Sequence, residues 1–433
     1  MTLEMENPRR VFRFVGCLLA VAGAVACAGN KAPVATYGPP PRVSEPTPSR
    51  IEELQLILGD ELTAEEEADL RAIRLAQYDS PTELRPPELD ESLEQLLEDE
   101  GAVLVEESVD YDIPIVLNNR VEWWINYFTH RVRGSFERYL IRSGAWLPYL
   151  KTELAQAGLP RDLAYIVLIE SGFSTRARSR ANAVGPWQFI ASTGREYGLR
   201  IDRWVDERRD YERATQAAIV YLSDLHAMFG SWHLAAAGYN GGQGRLKRTM
   251  LRDNAVNFWE LTSLRDETMN YVPKLLAATI VAKQPRRHGF FSVPYLEPAE
   301  WAKVTVPTSV SMDVIAAAAD VPTDAIVALN PHLLRGRTPP GESNFPVKIP
   351  IDRVETFLEN IDGAMASGGS GSATVRSVSL AEADSSELQV HRVRRGDTLY
   401  GIARRYGVTV AAIKQANGLR SNKIMPGTRL EIP

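Results

Sequence analysis

The stretch Ile166-Val167-Leu168-Ile169-Glu170-Ser171-Gly172-Phe173 decides how this chain reads. Ahead of it, Pro160 suits the first turn of a helix and Asp162 suits the positive N-terminal end. At helical spacing Leu163, Ile166, Val167 and Glu170 share one face, while Ala164, Tyr165, Leu168 and Ile169 cover the other. A helix that is apolar nearly all round belongs in a core. The segment therefore predicts a buried helix with a carboxyl, Glu170, at its end. Burial disfavours the charged form and raises a carboxyl pKa. An acid that must still hold a proton near neutral pH needs that shift. Taken alone, the segment also fits a glutamate that simply emerges into solvent.

Outward from this helix the pattern stays helical. Trp123, Trp124, Ile125, Phe128 and Phe136 put large apolar groups at helical spacings, and further helix signals follow through Lys283. Alternation of β-branched residues is scarce. The fold class is mainly α, with an all-helical domain over 113–300. Beyond it, 301–362 and 389–433 share a faint repeat: Val306, Val321, Ile326 and Asn330 match Val393, Val408, Ile413 and Asn417 at a constant offset. Both segments end in Ile-Pro. The later copy reads as a small βααβ unit. The earlier one lacks its Gly396-Asp397-Thr398-Leu399 start and reads as a degenerate copy. A Gly/Ser-rich linker, 363–388, lies between them.

The N-terminal end reads as an address. Arg9, Arg10 and Arg13 precede an apolar run, Phe14 to Ala26, that is too short to span a bilayer. Ala24-Val25-Ala26-Cys27 resembles a lipoprotein processing site, which predicts a signal peptide over 1–26 and a lipid on Cys27. The only other cysteine, Cys17, lies inside the leader, so the mature chain is not stapled by disulfides. The position after Cys27 is Ala28 and not the aspartate that commonly signals inner-membrane retention, and the resemblance to lipoproteins implies an outer-membrane destination facing the periplasm. Residues 27–112 read as a Pro-rich and then acidic spacer with transient or docked helices, one patterned on Ile51, Leu54, Ile57 and Leu58.

Three later blocks change the weight of Glu170. They are Arg178-Ser179-Arg180-Ala181-Asn182-Ala183-Val184-Gly185-Pro186-Trp187-Gln188-Phe189, Ala236-Ala237-Gly238-Tyr239-Asn240-Gly241-Gly242, and Glu267-Thr268-Met269-Asn270-Tyr271-Val272. In this order and spacing they resemble the lysozyme-like domain of lytic transglycosylases of the soluble-lytic-transglycosylase type. Asn118-Asn119-Arg120-Val121-Glu122 and the Trp187 in the Gly185 block are similar to the membrane-bound members. Gly238 and Ala191 depart from the usual pattern without removing a catalytic group. The resemblance implies cleavage of the β-1,4 bond between N-acetylmuramic acid and N-acetylglucosamine in peptidoglycan, with Glu170 as the single acid/base and 1,6-anhydromuramic ends. It also implies that Ser171, Ser179, Gln188, Tyr239, Asn240, Glu267 and Tyr271 line or orient the substrate. The unit at 389–433 resembles a LysM module, which implies binding of N-acetylglucosamine-containing glycan strands.

Other chemistries find little support. The six histidines are scattered and form no His-Glu-x-x-His pattern, so neither metal nor cofactor is expected. No phosphate loop or nucleic-acid motif is present. Protein partners cannot be read. Two alternatives stay open at this point: a hydrolytic muramidase, and a non-catalytic peptidoglycan-binding scaffold.

Overall fold

The computed structural model describes residues 62–75, 109–367 apart from 308, 378–379, 389–394 and part of 399–432. The leader, Cys27 and the pattern at Ile51 to Leu58 lie outside the described residues.

Helix α1 (Ala64–Leu75) comes first. Its start is closed reciprocally: the Thr63 N–H donates to Glu66 Oε2 (2.9 Å) and the Glu66 N–H to Thr63 Oγ1 (3.2 Å). In sequence this stretch belongs to a spacer whose charge argues against a large core. In the fold its apolar stripe, Leu70 and Ile73, is sunk in the helical core at 2% and 1% exposure. The stripe can dock because its one buried charge, Glu66, is paired with Arg142 at 2.7 Å.

Helix α2 (Asn119–Asn126) is capped by Asn118, whose side chain accepts from the N–H groups of Arg120 and Val121. A π-helical turn, Tyr127–Arg131, leads into α3 (Arg133–Gln156). A 3-10 turn, Arg161–Ala164, then feeds α4 (Tyr165–Ser171), in which every residue but Glu170 is buried. Helices α5 (Ala191–Glu196), α6 (Tyr211–Phe229), α7 (Trp232–Gly241), α8 (Gln243–Asp253) and α9 (Asp266–Lys283) complete the domain. Helix α4 touches α1, α3 and α9. The patterned aromatics Trp124, Phe128 and Phe136 are core.

Strand β1 (Trp301–Val306), α10 (Met312–Ala319), α11 (Thr323–Leu329), β2 (Phe345–Pro350) and α12 (Val354–Ser367) follow. Strands β1 and β2 pair antiparallel, from Trp301 opposite Pro350 to Val306 opposite Phe345. The short β3 (Val378–Ser379) pairs with the other edge of β1. Farther on, β4 (Gln389–Arg392) and β5 (Arg429–Ile432) pair antiparallel beside a small core that includes Leu399, Ile402 and Ile413. The repeat seen in sequence is structural. Asn330 Nδ2 donates to the carbonyls of Ile326 and Lys348, while its Oδ1 accepts from the Lys348 N–H. Asn417 does the same to Ile413 and Glu431. In both copies one asparagine ties the carbonyl four residues before it to the closing strand.

The first copy is welded to the helical domain. Asp210 caps α6 through the Arg213 N–H and also takes Lys348 Nζ on both carboxyl oxygens, at 2.8 and 2.7 Å. His332 Nδ1 stands 3.1 Å from the same carboxylate. Burial opposes this carboxylate, but Lys348 and His332 hold its pKa well below the usual range. Among the described residues no helix is long and apolar enough to cross a membrane.

Candidate active site

The chain must turn sharply after Glu170, and Gly172 permits it. Its φ is +56°, and a Cβ there would lie 2.4 Å from the Tyr139 ring. The loop that follows folds back beneath α4. Gly185, at φ +82°, passes so close to the next segment that a Cβ would sit 1.8 Å from the Arg208 carbonyl oxygen. This close approach brings Gln188 up beside Glu170. Helices α7 and α9 form the opposite wall.

Between them lies a cleft of about 320 Å³. Seven of the eight residues picked from sequence line it: Glu170, Ser179, Gln188, Tyr239, Asn240, Glu267 and Tyr271. The half-buried Glu170 carboxyl accepts from Tyr271 Oη at 2.8 Å on Oε1. Desolvation pushes its pKa up, partly offset by Arg74, the Tyr271 hydrogen bond and Lys274, while Glu267 adds to the rise. Tyr271 is itself held well above the usual phenol range by burial and by Glu170, so it stays a neutral donor.

The other cleft residues are held by their neighbours. Gln188 Nε2 donates to the carbonyls of Ala177 (3.0 Å) and Gly185 (2.8 Å), and its backbone is left-handed at φ +50°. Tyr239 Oη donates to the Trp187 carbonyl at 2.6 Å. Asn240 Oδ1 accepts from Thr268 Oγ1 (2.9 Å), and its Nδ2 faces Glu267 Oε1 at 3.5 Å. Ser179 Oγ accepts from the Ala183 N–H and braces the loop.

Ser171 does not join them. It is fully buried, and its hydroxyl sits between the carbonyls of Val167 (3.0 Å) and Pro186 (2.9 Å). The expectation that Ser171 touches substrate is corrected: one step past Glu170 on a helix points the side chain away from the cleft, where it ties α4 to the loop.

Two cations were missed in sequence. Lys274 lies one turn beyond Tyr271 on α9, on the cleft. It is 3% exposed, with Nζ 4.8 Å from the Trp124 ring centre. Burial draws its pKa down to about 8, against the pull of Glu170 and Glu267. Helical spacing from Glu267 and Tyr271 could have found it. Arg74 comes from α1: Nη2 donates to the Glu170 carbonyl at 2.5 Å and to Gln188 Oε1 at 2.9 Å. Nothing local in the sequence marks it. Among the described residues no cluster of His, Cys, Asp and Glu is arranged to hold a metal ion.

Comparison with known proteins bears on this arrangement. A family model described as the Transglycosylase SLT domain matches residues 149–262. The LysM domain matches 391–433, and a model described as the lytic transglycosylase MltD, LysM-like domain matches 300–364. The chain is 33% identical over 317 residues to the membrane-bound lytic murein transglycosylase D of Escherichia coli (strain K12), covering 70% of this chain and 68% of that protein. It is 36% identical over 110 residues to a putative tributyltin chloride resistance protein of Alteromonas sp. (strain M-1), 25% of this chain and 53% of that one. It is 35% identical over 125 residues to peptidoglycan transglycosylase gp16 of Escherichia phage T7, 28% of this chain and 9% of that one.

Proposed function

This chain belongs to the family of membrane-bound lytic murein transglycosylase D, and from that premise we propose that Glu170 is the single acid/base of a reaction that ends peptidoglycan strands in 1,6-anhydromuramic acid. The chain is a peptidoglycan lytic transglycosylase of the cell envelope.

With its pKa raised by burial, Glu170 carries a proton into the cycle. Tyr271 already donates to Oε1, so the mobile proton belongs on Oε2. That proton passes to the glycosidic oxygen as the bond from the muramic C1 breaks. The resulting carboxylate takes the proton of the muramic C6 hydroxyl while that oxygen bonds to C1. The proton lost in the first half is regained in the second, so the enzyme returns unchanged. Ordinary glycosidases use two carboxylates because the nucleophile is a carboxylate or an activated water. Here the nucleophile is part of the substrate, and holding it within reach lowers the entropic barrier. The other carboxyl on the cleft, Glu267, is exposed and faces Asn240.

The observation that carries this reading is the half-buried Glu170, hydrogen-bonded to a neutral Tyr271 on a cleft of about 320 Å³. Gln188, Tyr239, Asn240 and Ser179 shape the walls, and the LysM module adds glycan affinity. Cys27 would carry the lipid that holds the enzyme at the outer membrane. In the test, Glu170→Gln keeps shape but cannot carry the proton. General acid–base catalysis contributes roughly 10²- to 10⁴-fold, so the folded variant should bind peptidoglycan and cleave it at least that much more slowly. Wild-type products should be one water lighter than reducing ends. Reducing ends in their place would make the enzyme a hydrolase, and full turnover by Glu170→Gln would remove Glu170 from the mechanism.

A further inference from the structure

The cleft does not stop at the catalytic carboxyl. It continues into a groove of about 250 Å³ between α1 and the loop that follows α4. Arg71 and Arg74 come from α1, Arg178 and Arg180 from the loop, with Glu67 and Glu267 on the rim. The groove shares Arg74, Ser179 and Glu267 with the cleft, so the two adjoin. Among the described residues, Arg71, Arg178 and Arg180 form no ion pair. Arg178 instead grips Asn182 Oδ1 at 3.1 and 2.7 Å, which fixes the loop facing α1. Four guanidinium groups against two carboxylates leave the groove cationic. The transglycosylase family model, matched at 149–262, does not extend to α1. Arg71 and Arg74 are thus contributed by α1 from outside the matched region, opposite Arg178 and Arg180 within it.

We propose that this groove is a subsite for carboxylates carried on the lactyl branch of muramic acid. The proposal rests on the transglycosylase reading above and adds to it what the enzyme recognises beside the scissile bond. The muramic residue at Glu170 projects its C3 lactyl group sideways from the glycan. That group ends either in its own carboxylate, when the strand is bare, or in a short peptide that bears carboxylates. A planar guanidinium fork suits such groups, and several in one groove hold an anionic branch without fixing its sequence.

The test compares three soluble substrates at low salt: strands with peptide stems and free carboxylates, the same strands with those carboxylates amidated, and bare strands with free lactyl carboxylates. Wild-type protein and Arg71→Gln/Arg180→Gln are assayed on each, with circular dichroism to confirm folding. Exposed ion pairs are individually weak, so two of them should give the wild type a preference of roughly 2- to 30-fold in kcat/KM for free over amidated carboxylates. That ratio should fall toward one in the double variant and in wild type at high salt. A drop confined to stem-bearing strands assigns the peptide carboxylates; a drop confined to bare strands assigns the lactyl group. Either upholds the subsite. No wild-type preference for free over amidated stems together with unchanged cleavage of bare strands by the double variant, or an undiminished preference in that variant, overturns it. If the wild type cleaves none of the substrates, the transglycosylase reading fails, and binding of the same strands by Glu170→Gln with and without the two arginine changes reads the subsite independently.

Discussion

Replacing Arg74 by methionine is the sharpest probe of how this site is assembled. The helix should stay docked, because Leu70, Ile73 and the Glu66–Arg142 pair remain. What is lost is one guanidinium that bonds the Glu170 carbonyl and the Gln188 side-chain oxygen together. A hydrogen bond to a charged group contributes about 1.5–3 kcal/mol. If the transition state loses one such bond through a displaced Glu170, kcat/KM falls roughly 10- to 150-fold. The pH profile should move as well. Arg74 is foremost among the groups that draw the Glu170 pKa down against burial, so its removal lets that pKa climb further. A general acid works while protonated, and the alkaline limb of kcat/KM should therefore shift to higher pH. Arg74→Lys keeps the charge but not the fork, so it should restore the limb while recovering only part of the rate. The assay is release of soluble fragments from peptidoglycan, with kcat and KM resolved across pH. A folded Arg74→Met protein with unchanged kcat/KM and an unmoved limb would refute a positioning role.

Lys274→Met removes a second cation that faces Glu170, so its alkaline limb should also move up; a limb that stays put, or moves down, would separate Lys274 from the catalytic carboxyl. Lys348→Met strands the buried Asp210 carboxylate and should destabilise the fold by roughly 3–5 kcal/mol, seen as a lower Tm at neutral pH. Asp210 has a depressed pKa in the wild type, so its stabilisation is present above the unfolded value and is lost as pH falls through the folded one. The gap in Tm between variant and wild type should accordingly narrow in acid, and a gap independent of pH would contradict the ionic account. Cys27→Ala should release the protein from the membrane fraction; retention there after the leader is removed would exclude the lipid anchor.

Much of this molecule is legible in short stretches of sequence. Helix α4 announces its burial because both of its faces are apolar, and that pattern alone puts a carboxyl at the edge of a core. The repeat around Asn330 and Asn417 is equally local. An asparagine bonded to a closing strand recurs at the same spacing, and the structure repeats the same hydrogen bonds. Lys274 lay within reach of the same reasoning, one turn from Tyr271 on the same helix. Ser171 went the other way. The family resemblance implied a place for it on the cleft, yet a helix turns adjacent side chains to different directions, and its hydroxyl closes a buried contact to Pro186.

Sequence by itself determined the helical class and the buried helix that ends at Glu170, because these follow from periodicity and turn chemistry within a few residues, while the catalytic candidacy of Glu170 came from the resemblance carried by the motif blocks. Only the tertiary structure decided that Arg74 belongs to the same site. The two residues are separated by 96 positions, and α1 sits in a stretch whose charge pointed to solvent. Whether a marginally amphipathic helix docks depends on a complementary apolar surface and a partner for its buried charge. Arg142 and the α4 core supply both, and no local pattern in α1 can reveal them.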